Sequence, residues 1–213
     1  QRLAKLCVAH DVALCSDEVW GELPLAPETA PFTSALSLSV CGLDKKLIVL
    51  TSPSKAFNVA ALDLAVAIIP DDEMRARFRS VGRDQAEVTA FGYFAAQAAY
   101  GESACEAWRQ ELVRYLNANY ELVSEALSKV PGVLLTQPEA SYLVWIDATA
   151  ALPQRARGQP AAAFFLDHGV GLSDGQPFGA SSAGYVRLNL ATPRDTLARG
   201  VQRVLAALAS SDT

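Results

Sequence analysis

Two short apolar stretches, Val12-Ala13-Leu14-Cys15 and Leu47-Ile48-Val49-Leu50, each run straight into a polar cluster, and this constrains the fold more than any other feature. A strand with no charge on either face suits the buried parallel sheet of an α/β protein. The first stretch stops at Ser16-Asp17-Glu18, the second at Thr51-Ser52-Pro53-Ser54-Lys55. Each strand thus delivers hydroxyls and a charged group at its end.

The surrounding pattern extends this reading. Residues 2–10 read as a helix end, and residues 21–45, which carry several prolines, as a long loop of the kind that is often functional. A third apolar run spans Leu64 to Ile69, and residues 71–81 and 85–100 read as helices. From Cys105 to about Val130 the residues Trp108, Leu112, Tyr115, Leu116, Leu122 and Leu127 recur at helical spacing, until Pro131-Gly132 stops the run. Strands follow at 133–135 and 142–146, then a helix over 159–167 that His168-Gly169 caps. The pattern ends with a strand at 170–172, a Gly-rich loop, a strand at 185–190 and a helix over 193–208. We therefore expect residues 1–100 to be part of a larger α/β domain and 101–213 a smaller α+β domain attached by the long helix.

Three positions can carry chemistry. Lys55 follows a strand, with Ser52 and Ser54 upstream and Ala56 and Phe57 downstream. A lysine placed there can point into a cleft, where desolvation makes its amine nucleophilic, while the hydroxyls bond an anion such as a phosphate ester. Taken alone, the tetrapeptide also fits an ordinary exposed loop lysine. Asp17 reads either as a turn cap or as a carboxylate facing a ligand cation. Trp20 reads as a lid aromatic or as core. Arg187 lies in the middle of Tyr185-Val186-Arg187-Leu188-Asn189-Leu190, on the face shared with Tyr185 and Asn189. A mid-strand arginine needs a partner, and a bidentate carboxylate is the natural one, from this chain or from a ligand.

Composition removes other classes. A net charge of −5 is the wrong sign for a nucleic-acid surface. No run approaches the roughly 18 apolar residues of a membrane span. His10 and His168 lie far apart and supply no ligand cluster, so no metal site is expected. The absence of a G-x-S-x-G elbow argues against a serine hydrolase. The four cysteines, Cys7, Cys15, Cys41 and Cys105, show no paired spacing and read as buried small hydrophobes in a reducing, cytoplasmic setting. The sequence opens mid-helix without a Met, as expected of a piece of a longer polypeptide.

Taken in order, Asp17, Ser52-Pro53-Ser54-Lys55 and Arg187-Leu188-Asn189-Leu190-Ala191-Thr192-Pro193-Arg194 resemble the fold-type-I enzymes that use pyridoxal 5′-phosphate (PLP), the class I/II aminotransferase superfamily. Finer detail is similar to the cystathionine β-lyase branch, the MalY/PatB-type C–S lyases: Ser16-Asp17-Glu18-Val19, Ser54-Lys55-Ala56-Phe57-Asn58-Val59-Ala60, and His168-Gly169-Val170 running to Ser173-Asp174-Gly175 and Phe178-Gly179. The resemblance implies the PLP-dependent transferase fold type I and the following roles. Lys55 forms the internal aldimine and shuttles the Cα proton. Asp17 pairs with the pyridine nitrogen, Ser52 and Ser54 bind the phosphate, and Arg187 clamps the carboxylate of a small amino-acid substrate. Trp20 stands where Tyr or His usually contacts the ring oxygen. Asp63 stands where many aminotransferases carry a phosphate-binding Arg, which the lyase branch often lacks. Further cofactor contacts of the family lie upstream of residue 1. The implied reaction is β-elimination from an L-cysteine S-conjugate by a homodimer. Transamination on the same scaffold and a non-catalytic relative are the alternatives.

Overall fold

The computed structural model describes residues 1–25, 32–82, 87–179 and 183–210. It divides into two compact units, and the division falls inside the long helix, between Glu111 and Leu112. Among the described residues, 1–24 and 32–111 form the first unit, and Leu25 with 112–210 the second.

The first unit opens with helix α1 (Arg2–Ala9), which leads into strand β1 (Leu14–Asp17). Strands β2 (Leu47–Thr51) and β3 (Val66–Ile68) complete a three-stranded sheet in the order β1-β2-β3. β1 and β2 are parallel, with Leu14 opposite Leu47 and Asp17 opposite Leu50, whereas β3 runs antiparallel to β2. A small core of Ala4, Ala35, Leu43, Leu47 and Val49 gathers Val8, Leu14, Leu38 and Val40 around it. Helices α2 (Asp72–Gly82) and α3 (Ala90–Gly101) follow, and α4 (Ser103–Leu127) begins. Their starts are fixed by side chains: the carboxylate of Asp71 accepts the Met74 N–H at 2.8 Å, and the hydroxyl of Thr89 accepts the Gly92 N–H at 3.0 Å. That Thr89 cap is why α3 begins at Ala90 rather than at 85. Residues 85 and 86 lie outside the described residues.

The expected strand at 12–15 is displaced. Val12 donates its N–H back to the Cys7 carbonyl and Asp11 adopts φ 55°, so both residues finish α1. The strand therefore starts at Leu14 and carries Asp17 as its last residue. It is also not buried on both faces, because Cys15 and Asp17 are exposed while Leu14 and Ser16 are half-buried. The cysteine reading needs the same correction. All four thiols are free, but Cys15 and Cys41 are exposed and Cys7 and Cys105 only half-buried.

In the second unit, β4 (Leu134–Leu135), β5 (Leu143–Asp147), β6 (Ser173–Asp174) and β7 (Tyr185–Asn189) form an antiparallel sheet in the order β4-β5-β7-β6. Helices α5 (Ala161–Asp167) and α6 (Arg194–Ala209) accompany it. Alternation sorts the strands: Val144 and Ile146 of β5 and Val186 and Leu188 of β7 are buried, as are Leu116, Val123 and Leu127 of α4. From α6, Leu197, Val201, Val204 and Ala207 are buried, a spacing of three to four residues. Helix α5 ends as expected, with His168 as cap and Gly169 at φ 78°. The strand expected at 170–172 forms instead at Ser173–Asp174. Val170 is held by its N–H bond to the Phe165 carbonyl and belongs to the helix end. Among the described residues, no helix is long and apolar enough to cross a membrane.

One buried polar group fastens α4 to the approach of α6. Asn119 is fully buried, donates to the carbonyls of Leu190 (2.9 Å) and Thr192 (3.3 Å), and accepts from Arg194 Nε (3.2 Å). The guanidinium of Arg194 also lies 5.0 Å from the Tyr115 ring centre, so this arginine is a structural fastener. Replacing Asn119 by Ala strands these buried acceptors, and we expect urea unfolding to show a loss of about 2 kcal/mol.

A second stability prediction concerns Glu22 of the first unit. One of its carboxyl oxygens is buried without a partner among the described residues. Burial raises its pKa, Arg109 draws it down and Glu106 pushes it up. A carboxyl that binds its proton more tightly folded than unfolded subtracts stability at neutral pH. That stability returns as pH falls through the folded value to the unfolded one. Glu22→Gln is therefore expected to raise the melting temperature near pH 7 by about 2 °C, with the gain fading as pH falls through the raised folded value and gone by about pH 4. Glu106 behaves oppositely: hydrogen bonds from Arg109 and Gln110 hold it down at about 2, so its contribution survives until strongly acid pH.

Candidate active site

Because β1 and β2 are parallel neighbours, Asp17 and the segment leading to Lys55 emerge from the same end of the first unit's sheet. In open α/β sheets this end, at the carboxyl termini of the strands, is where ligands bind. The turn after β2 is built by its own sequence. Pro53 is buried, the Phe57 N–H reaches back to the Pro53 carbonyl (3.0 Å) and the Val59 N–H to the Ser54 carbonyl (3.1 Å). Asn58, at φ 55°, ends this single helical turn in the left-handed region that Asn tolerates. Tyr100 of α3 sets its ring edge-on to Phe57 at 5.9 Å and bonds through its hydroxyl to Thr51; burial raises the pKa of that phenol, Glu22 adds to the rise and the Thr51 bond opposes it.

Lys55 sits half-buried within this turn. Its Nζ lies 5.7 Å from the centre of the Trp20 ring. No carboxylate pairs with it among the described residues. An amine held against an indole face, with no acid beside it, keeps its donors for a ligand. Asp17 accepts the Val19 N–H at 3.2 Å, as a turn cap does, and has no cation beside it among the described residues. One carboxylate therefore serves the turn and still offers an uncommitted oxygen at the strand end.

The two serines are not equivalent. Ser52 is buried, and its Oγ lies 2.6 Å from the Leu64 carbonyl and 2.7 Å from Ser54 Oγ, while accepting the Ser54 N–H at 3.1 Å. A carbonyl can only accept, so the single Ser52 proton goes to Leu64 and the Ser54 hydroxyl must donate in the remaining contact. Ser52 holds the turn, and the half-buried Ser54, whose proton Ser52 accepts here, reaches a ligand anion only by turning that proton away from Ser52. Asp63 is exposed and adopts φ 51°, closing a short 3-10 turn over Ala60–Leu62. Its presence is explained by that backbone conformation.

Arg187 belongs to the second unit. It stands in β7 opposite Trp145 of β5 and Ser173 of β6. It is half-buried, and its Nε is buried without a hydrogen-bond partner among the described residues. No acid of the described residues pairs with it. The guanidinium carbon instead lies 4.4 Å from the centre of the Phe178 ring. Trp145 sets its ring at 90° to Phe178, 6.0 Å away, and stacks on Tyr185 at 5.7 Å. Sequence reading placed Arg187 on this face with Tyr185 but missed Phe178 and Trp145 beside it. The return of the loop carrying Phe178 depends on Gly175. That glycine donates its N–H to the Tyr185 carbonyl at 3.0 Å, and a Cβ there would meet the same oxygen at 2.6 Å.

Comparison with known proteins adds descent to this geometry. The family described as aminotransferase class I and II matches residues 1–204. The cystathionine β-lyase PatB of Bacillus subtilis is 34% identical over 212 residues, which are 97% of this chain and 52% of PatB. The crystal structure of OvoB superposes with a TM-score of 0.87 at 35% identity, over 98% of this chain and 52% of OvoB. The PLP-bound C–S lyase of Staphylococcus hominis, complexed with the inhibitor L-cycloserine, gives 0.82 at 28% identity, over 97% and 52%. The chain thus spans about half the length of each of these relatives.

Proposed function

The chain belongs to the class I and II aminotransferase family, and from that premise we propose that it serves a PLP-dependent C–S β-lyase acting on cystathionine or a related L-cysteine S-conjugate. The observation that carries the proposal is the amine of Lys55, half-buried in the turn after β2, set against Trp20 and free of any acid among the described residues. The donor set suits PLP. An unpaired amine fits its aldehyde, a carboxylate without a cation at the neighbouring strand end fits its ring nitrogen, and the Ser54 hydroxyl fits its phosphate. The lyase choice rests on the resemblance to PatB.

Bound PLP supplies an electron sink that stabilises negative charge at the substrate's Cα. The residues of this chain do the rest. Lys55 would hold the cofactor through its amine and, once released, would take the Cα proton of the substrate. Asp17 would pair with the ring nitrogen. Ser54 donates to the phosphate, while Ser52 keeps the turn in shape. Trp20 walls the amine, and Arg187 offers a two-pronged donor to the substrate's α-carboxylate. Loss of the β-thiolate and hydrolysis of the remaining fragment give thiol, pyruvate and ammonia. We take the assembly to be a homodimer in the cytoplasm. The exposed aromatic face of α3, with Phe91 75%, Tyr93 65% and Phe94 70% exposed, supports coverage by further protein.

The test is the holoenzyme with L-cystathionine. Stoichiometric release of pyruvate and thiol with no oxo acid added as co-substrate is expected. Turnover that instead requires 2-oxoglutarate and yields no thiol would assign an aminotransferase.

A further inference from the structure

Phe178 is an anomaly on its own terms. It is 59% exposed, so burial of apolar area does not account for its place, yet two aromatic contacts and a short backbone bridge hold it. The bridge is Gly175 to Tyr185, which presses the turn over Gln176–Phe178 against β7. The contacts are the edge of Trp145 at 6.0 Å and the guanidinium of Arg187 at 4.4 Å. The same guanidinium has a buried Nε with no acceptor among the described residues. A half-buried arginine ordinarily finds a carboxylate, which offsets its charge and occupies its N–H groups. An aromatic face attracts the charge and accepts none of its in-plane hydrogen bonds.

We infer that Phe178 is a positioning residue that holds the Arg187 guanidinium by one face and leaves its in-plane donors uncommitted, so that they meet a monocarboxylate presented at their edge. The inference rests on the reading of Arg187 as the substrate-carboxylate clamp and adds the residue that orients it. Trp145 and Gly175 fix Phe178 in turn, the first by its ring edge, the second by allowing close approach to the β7 backbone. A leucine in place of Phe178 would keep apolar bulk and lose the π face; a tyrosine would keep both.

The experiment compares Phe178→Leu and Phe178→Tyr in the holoenzyme. It reads kcat and KM for L-cystathionine and the inhibition constant of propionate, a carboxylate with no amine. The Arg187 Nε–H resonance is also followed as propionate is added to the cofactor-free protein. Phe178→Leu is expected to raise KM and the propionate constant together by about 3- to 10-fold, with kcat held within about 2-fold, and to weaken the propionate response of the resonance. Phe178→Tyr is expected to restore all of them. Phe178 is largely exposed, so neither variant opens the core. A Phe178→Leu protein whose propionate constant is unchanged, or whose kcat alone falls, overturns the inference. Arg187→Lys separates the two layers. If it too leaves the propionate constant unchanged, the clamp reading itself has failed; if it raises that constant while Phe178→Leu does not, only the role of Phe178 has.

Discussion

Lys55→Ala is expected to lower the release of pyruvate and thiol from L-cystathionine by at least about 10³-fold, because the proposed function has one side chain both attach the cofactor and move the Cα proton. Lys55→Arg should fail as completely. It keeps the cation against Trp20, 5.7 Å away in the native protein, but guanidinium is neither nucleophilic nor a base near neutral pH. Failure of both variants therefore separates loss of the amine's chemistry from loss of its charge. Their folding should be nearly intact. Lys55 has no ion pair or hydrogen bond among the described residues, so its removal breaks no polar contact. Melting temperatures within about 3 °C of the parent are expected. A Lys55→Ala protein that still turns over at a tenth of the parent rate would show that another group carries the proton.

Arg187→Lys is expected to lower kcat/KM by about 10- to 100-fold, expressed chiefly in KM. The substitution keeps the positive charge and removes the planar fork that, in the proposed role, binds both carboxylate oxygens at once. Because Arg187 Nε is buried without an acceptor among the described residues, the replacement costs none of them a hydrogen bond at that atom. The discriminating comparison is a substrate and its carboxamide. The parent should prefer the acid strongly and Arg187→Lys should lose most of that preference. A general fall on both compounds would instead mean that β7 had been disturbed.

These predictions draw on features that the sequence shows unequally. The period-two pattern of Tyr185 to Leu190 put Arg187 on the face opposite the buried Val186 and Leu188, and the strand lies there. The i, i+3, i+4 pattern of α6 and of α4 was equally plain, since each helix buries one stripe. Strand ends were harder. Val12 and Ala13 look like strand, but φ 55° at Asp11 draws Val12 into the end of α1. Val170 and Leu172 look like strand for the same reason, while pairing with β7 falls to Ser173 and Asp174, chosen by the partner strand. No propensity marks such a two-residue pairing. The site was legible wherever a residue type stands next to a strand end, as with Asp17 and Lys55. It was illegible where a contact crosses the sheet or spans a loop. Phe178 over Arg187, Trp20 against Lys55, and the division of labour between Ser52 and Ser54 all depend on where the Leu64 carbonyl or a returning loop comes to rest. The cysteines misled because the exposed position of Cys15 is set by strand alternation rather than by the type's usual burial.

The central claim is that the ε-amine of Lys55 holds PLP. It is tested most directly by saturating the protein with PLP, reducing with borohydride, digesting, and locating the phosphopyridoxyl group by mass spectrometry. The account predicts stoichiometric label on the lysine of the Ser52-Pro53-Ser54-Lys55 peptide. Label on Lys5, Lys45, Lys46 or Lys129, or none at saturating cofactor, would contradict it.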